Sequence, residues 1–298
     1  MSKVEMEARM STGLGFIAAL DQSGGSSAAA LKAYGIAESS YSNDTEMFAL
    51  IRAFRERIMT APSFSSDRVI AAILFEATMD DVIGDMPVPS FLWATRGIVP
   101  FVKVDKGLEA EAHGVSLMKP MPALEPLLER AIALGIFGTK MRSTIRLASR
   151  KGITAVVEQQ FDFAGRIAQF GLLPILEPEI LITSPDKAFA ESILLDELLQ
   201  ALNAHPGGGN VMIKLSTPET RDHYAPLIAH PRVKRLVALS GGYTRDEACR
   251  RLATNTGMIG SFSRALIGDL RHGMDDLRFD ATLKLAVDQI YHASITKI

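Results

Sequence analysis

Val211-Met212-Ile213-Lys214-Leu215-Ser216-Thr217 is a short apolar run broken by a single lysine. Its length and its bulky aliphatic residues read as a strand buried on both faces. Burial disfavours an ammonium unless it is paired, and a neutral lysine amine is a nucleophile toward carbonyl carbon. The strand-like run before it ends in Glu177 and Glu179, and the run before that ends in Lys140 and Arg142. Ionisable groups thus recur at the ends of hydrophobic strands, where an enzyme places them and a passive scaffold does not.

Working outward, eight such runs can be marked: Gly15–Gln22, Val69–Glu76, Val99–Asp105, Ile136–Arg142, Leu172–Glu179, Val211–Thr217, Val233–Ser240 and Met258–Arg264. Most of the gaps between them carry a helical pattern. Asn43-Asp44-Thr45-Glu46 reads as a capping box ahead of Met47, Leu50, Ile51 and Phe54, and Thr244-Arg245-Asp246-Glu247 reads as another. Leu124, Leu127, Leu128, Ala131 and Leu134 form a second stripe, and Val156, Val157, Phe161, Ala164 and Ile167 a third. Ser184-Pro185 and Thr217-Pro218 place a cap before a proline at the first helical position. Strands alternating with helices predict a parallel sheet with right-handed crossovers. Eight units in 298 residues fit a closed (β/α)8 barrel, a TIM barrel, as one domain over residues 1–298.

Composition narrows the function classes. At 47% hydrophobic the chain can fill a large core, and a net charge of −2 gives no general pull toward nucleic acid or a membrane surface. The lone Cys249 cannot form an intrachain disulfide, fits a reducing compartment and reads as structural. The first residues show no apolar signal region, and no stretch approaches the roughly 20 apolar residues of a membrane span. A cytoplasmic location follows as the expectation. Pro206-Gly207-Gly208-Gly209 lacks the Lys-Ser/Thr of a phosphate-binding P-loop and reads as a turn.

In a parallel barrel the carboxyl ends of the strands share one mouth, and residues two apart share a face. That groups five cations (Lys103, Lys140, Arg142, Lys214, Arg264) with four anions (Asp21, Asp105, Glu177, Glu179). Buried ion networks add little stability relative to apolar packing, so a purely structural motive is weak. Ser240-Gly241-Gly242 after the seventh run and Ser261-Phe262-Ser263-Arg264 after the eighth match the phosphate pocket barrels build there. Ser23-Gly24-Gly25-Ser26 after the first run offers a second anion cradle near Lys103. None of the six histidines ends a strand or has tight ligand spacing, so no metal and no cofactor is expected.

Seven of these segments, in order along nearly the whole chain, resemble the class I (Schiff-base) fructose-1,6-bisphosphate aldolases, in particular their shorter bacterial branch. They are Ala18-Ala19-Leu20-Asp21-Gln22-Ser23, Lys103-Val104-Asp105-Lys106-Gly107, Phe137-Gly138-Thr139-Lys140-Met141-Arg142, Pro174-Ile175-Leu176-Glu177-Pro178-Glu179, Met212-Ile213-Lys214, Leu239-Ser240-Gly241-Gly242 and Ser261-Phe262-Ser263-Arg264-Ala265-Leu266. The resemblance implies a lyase of glycolysis that reversibly cleaves fructose 1,6-bisphosphate. By its lights Lys214 is the Schiff-base lysine, Glu177 the proton shuttle, Asp21 the acceptor of the C4 hydroxyl proton, Lys140 a cation beside the imine, and Glu179 a partner orienting the lysines. Ser240, Gly241, Gly242, Arg142 and Arg264 would serve substrate and the C1 phosphate, with Ser261 nearby, while Ser23, Ser26 and Lys103 would serve the C6 phosphate. The chain departs from the pattern at Ser27-Ala28-Ala29-Ala30-Leu31, where relatives often carry basic residues. A monophosphorylated sugar therefore stays open as substrate, as does a phosphosugar-binding barrel without catalysis. It also ends at Ile298 without the tyrosine-terminated tail that helps animal relatives protonate the enamine, so that group is unassigned. Homo-oligomer formation is left open.

Overall fold

All eight apolar runs become strands: β1 Phe16–Leu20, β2 Val69–Leu74, β3 Val99–Lys103, β4 Gly138–Ile145, β5 Leu173–Ile180, β6 Val211–Ser216, β7 Val233–Leu239 and β8 Met258–Phe262. The structure is a computed structural model that describes residues 2–23, 25–204 and 209–298. The strands pair in parallel in the order β3-β2-β1-β8-β7-β6-β5-β4, and β3 pairs with β4, so the sheet closes on itself. Every run shifts by a residue or more at one end or both, and four of these shifts bear on the site. β1 stops at Leu20 and β8 at Phe262, which puts Asp21 and Gln22 in a loop and Arg264 at the start of the one-turn helix Arg264–Ile267. β4 and β5 run on to Ile145 and Ile180, because their pairing continues unbroken from Gly138↔Leu173 to Ile145↔Ile180.

The long helices are α1 Lys3–Thr12, α2 Gly25–Tyr34, α3 Asp44–Thr60, α4 Leu124–Ala133, α5 Arg150–Gln169, α6 Lys187–Ala204, α7 Arg245–Ala253 and α8 Asp276–Ile295. Asn43 caps α3 through the Glu46 N–H at 3.0 Å, and Thr244 caps α7 through the Glu247 N–H at 3.3 Å. Both expected proline starts differ. Helix α6 begins only at Lys187, leaving Pro185 in the preceding turn. After Thr217-Pro218 the chain turns and makes only the short helix Ala225–Ile228. Helix α6 clamps this segment: Lys187 Nζ holds the Thr217 carbonyl at 2.7 Å, and Glu191 accepts from the Glu219 N–H at 3.0 Å. Of the glycine-rich connection after α6, residues 206–208 lie outside the described residues.

Strand alternation sorts the core into two shells. Phe16, Ala18 and Leu20 of β1 face the helices, while Ile17 and Ala19 face the barrel interior with Ala71, Ile73, Val99, Phe101, Ile175, Met212, Val237 and Ile259. Helix α1 closes the amino end by inserting Met6 and Met10 into that interior. Gly138 is needed where β3, β4 and β5 meet: a Cβ there would sit 2.2 Å from the Leu173 carbonyl oxygen and 2.5 Å from the Phe101 ring. Gly138→Ala is expected to cost about 3 kcal/mol by overpacking, read as a lower guanidinium chloride midpoint. Burial pushes the Cys249 thiol up to about 11, in keeping with a structural cysteine. Among the described residues no helix is long and apolar enough to cross a membrane.

Candidate active site

Above the apolar interior, at the carboxyl end of the strands, the next inward positions are charged. Asp21 follows β1, Lys103 ends β3, Lys140 lies on β4, Glu177 on β5 and Lys214 on β6. Lys103 and Lys140 are directly paired across β3 and β4, and Arg142 is paired with Glu177 across β4 and β5. Side-chain alternation therefore forces these groups into one layer.

Four of them form a continuous chain. Lys140 Nζ stands 2.7 Å from Asp21 Oδ2 and 2.6 Å from Glu177 Oε2, and Lys214 Nζ stands 3.0 Å from Glu177 Oε1. Glu177 thus bridges the two amines. Asp21, Lys140, Glu177 and Lys214 are all buried. Glu177 Oε2 meets Lys140 by charge, without a directed hydrogen bond. The electrostatics oppose burial. Desolvation alone would raise the Asp21 carboxyl, but Lys140 and Lys214 outweigh it and hold the group well below the usual carboxylate range. Glu177 is lowered in the same way, burial being overcome by Lys140 and then Lys214. Burial would strip the proton from Lys140, yet Asp21 and Glu177 push it above the ordinary lysine value. At neutral pH the chain holds two carboxylates around one fixed ammonium.

A second layer flanks it. Lys103 Nζ pairs with Asp105 Oδ1 at 2.7 Å, and Asp105 Oδ2 accepts from the Arg142 N–H at 3.2 Å. The Arg142 guanidinium pairs with Glu179 at 2.5 Å. Glu179, the residue expected to orient the lysines, is buried, and its ion pair among the described residues is with Arg142.

The anion pockets assemble in part. Ser240 is buried, and Gly241 and Gly242 leave β7 with φ of +61° and +112°. Any side chain at Gly241 would strike Ile182, and Arg264 lies against Gly242, within 3.4 Å of where its Cβ would be. Arg264 is exposed, and its side chain makes no hydrogen bond or ion pair among the described residues. Ser261 departs from expectation. It is buried beneath the mouth with its hydroxyl unpaired, while Ser263 stands at the rim and accepts from Gln22 Nε2 at 2.6 Å. Ser23 is half-buried in the loop after β1. Gly24 and the side chain of Ser26 lie outside the described residues. Among the described residues no group of three or more His, Cys, Asp or Glu is placed to hold a metal ion.

Reading by strands missed Arg55 and Thr78. Arg55, on α3, is buried, donates to Thr78 Oγ1 at 2.7 Å and to the Gln22 carbonyl, and touches Gln22 Oε1 at 3.4 Å. A signal existed: Arg55 falls four residues after Ile51, inside the apolar stripe of α3.

A parallel barrel with a buried lysine–carboxylate chain at its carboxyl end defines a class of lyases and isomerases acting at carbonyl carbon. Comparison narrows this. The sequence model of the class I fructose-bisphosphate aldolases matches residues 5–205. The Synechocystis sp. protein described as fructose-bisphosphate aldolase class 1 is 50% identical over 288 residues, covering 97% of this chain and 96% of its own. The Porphyromonas gingivalis protein of the same description is 48% identical over 295 residues, covering 99% and 100%. In fold, the Plasmodium falciparum fructose-bisphosphate aldolase, solved with TRAP and a small-molecule inhibitor, superposes with a TM-score of 0.77 at 19% identity, over 98% of this chain and 93% of that one. This chain belongs to the class I fructose-bisphosphate aldolase family.

Proposed function

We infer that this chain reversibly cleaves fructose 1,6-bisphosphate to dihydroxyacetone phosphate and glyceraldehyde 3-phosphate through an imine on Lys214. The carrying observation is the Asp21–Lys140–Glu177–Lys214 chain, which brings a buried amine and two ionised carboxylates to one mouth. Lys214 Nζ adds to the C2 carbonyl of the open-chain sugar, forming the N–C2 bond as the carbonyl electron pair moves to oxygen. Glu177, ionised at rest and in contact with Nζ, carries the proton that nitrogen loses to the C2 oxygen, giving the hydroxyl, and then delivers a second proton, drawn from solvent, so that the hydroxyl leaves as water. The resulting iminium draws the electron pair of the C3–C4 bond onto nitrogen as an enamine. Asp21 accepts the C4 hydroxyl proton, and the aldehyde half departs. Protonation of the enamine at C3 and hydrolysis release the ketone half. Lys140 stays charged throughout, keeping both carboxylates ionised and balancing charge beside the imine.

The Arg264 side chain, free of protein partners among the described residues and set against the Ser240-Gly241-Gly242 turn, suits a phosphate. Arg264→Ala is expected to raise KM about 10–100-fold, the worth of one charged hydrogen-bonding group, with a smaller change in kcat in steady-state cleavage assays. At the other phosphate, α2 carries its one basic residue, Lys32, in its last turn. Fructose 1-phosphate is therefore the informative second substrate, and faster turnover of it than of the bisphosphate would move the assignment to a monophosphorylated sugar. The deciding experiment is borohydride reduction with dihydroxyacetone phosphate or the bisphosphate, followed by peptide mapping. A mass gain on the Lys214 peptide is expected, and no adduct, or an adduct elsewhere, overturns the reading.

A further inference from the structure

Arg55 is a buried guanidinium on α3 that makes no ion pair among the described residues. An apolar side chain of similar size would pack there at lower cost, so its charge and fork of donors call for a reason beyond stability. What they hold is one side chain and one backbone carbonyl. One nitrogen donates to Thr78 Oγ1 at 2.7 Å, in the one-turn helix Glu76–Met79 that follows β2, and the other donates to the Gln22 carbonyl. Gln22 directly follows Asp21. Its carbonyl also accepts from Ser27 Oγ at 3.2 Å, and its side-chain amide donates to the Ala19 carbonyl at 3.3 Å and to Ser263 Oγ at 2.6 Å. Ser263 precedes Arg264 in sequence. Three loops are thereby joined, after β2, after β1 and after β8, with Arg55 beneath them.

We propose that Arg55 is a positioning residue that fixes the Asp21-Gln22 backbone from below, keeping the Asp21 carboxylate at Lys140. It rests on the function inferred above and deepens it. The two halves of the reaction then depend on Arg55 differently. Imine formation uses Lys214 and Glu177, on β6 and β5, and their contact, like the Lys140–Glu177 pair beside it, lies outside the β1 loop. Breaking C3–C4 uses Asp21, which rides on that loop. Misplacing a reacting group by about 1 Å costs on the order of 100-fold in rate.

The test separates the two halves in Arg55→Met. Cleavage of the bisphosphate is expected to lose about 100-fold in kcat, while borohydride trapping with dihydroxyacetone phosphate still labels Lys214 at close to the wild-type yield. Arg55→Lys keeps a charge but cannot reach Thr78 and Gln22 together, so an intermediate loss of kcat with full trapping is expected; it carries the test if the methionine variant does not fold. A purely structural role would lower thermal stability and reduce trapping and cleavage in equal proportion, and that result overturns the proposal, as does unchanged kcat in either variant. Trapping in the wild-type protein judges the Lys214 reading on its own, so the two failures are distinguishable.

Discussion

Lys214→Met is expected to abolish the borohydride adduct and lower kcat for cleavage by on the order of 10⁵-fold, as removal of a covalent nucleophile does. The same substitution is expected to leave the protein folded, with a smaller stability loss than Glu177→Gln. Among the described residues Lys214 Nζ makes one ion pair, to Glu177 Oε1 at 3.0 Å, while Glu177 Oε2 remains at Lys140. Removing Lys214 leaves Asp21 and Glu177 sharing the Lys140 ammonium, which each still contacts, so neither carboxylate loses its last partner, the loss that costs about 3–5 kcal/mol. A cooperative urea transition alongside abolished cleavage separates this outcome from a folding defect. A variant that retains measurable steady-state cleavage with Lys214 absent would show that another group carries the covalent step.

How much of this was legible in the sequence follows from what a strand does. Lys103, Lys140, Glu177 and Lys214 could be placed in one layer because alternation fixes the face and parallel closure fixes the end of the barrel. The pairings inside the layer were not legible. Lys140 contacts both Asp21 and Glu177, while Glu179 turns to Arg142, and these choices depend on the stagger between neighbouring strands and on how far each side chain reaches. On the phosphate side Ser261 lies within β8, which ends at Phe262, and Ser263, just past the strand, occupies the rim. After Thr217-Pro218 the local helix signal goes unused, and Lys187 and Glu191 of α6 hold the chain there as a turn. Arg55 was visible as an arginine inside an apolar stripe, but only the fold shows that it reaches the loop after Asp21.

Glu177→Gln is expected to be damaging in both respects, and its pH dependence is what distinguishes it. The amide is isosteric but uncharged. It leaves two buried amines facing a single carboxylate, Asp21, and breaking a buried charge balance costs about 3–5 kcal/mol, a fall in Tm of roughly 10 °C. Loss of the proton shuttle is expected to lower kcat by about 10²–10⁴. Asp21 and Glu177 are both depressed in the folded state. The stability they confer is therefore complete above the unfolded carboxylate value of about 4 and is lost as pH falls through their folded values. Lys140 is raised, so its contribution is complete below the unfolded lysine value of about 10.4 and is lost only as pH rises through its folded value. Between these limits the network gives a plateau. In Glu177→Gln the plateau should drop, and the acid limb should become shallower, because one of the two carboxylates whose protonation drives it is gone. Urea midpoints measured across pH 3.5–9 read both features. Adding Lys140→Met to Glu177→Gln also takes away the ion-pair partner of the buried Asp21, so stability should fall further. Equal stability of the single variant and the wild type would mean that the two lysines never shared the Glu177 charge.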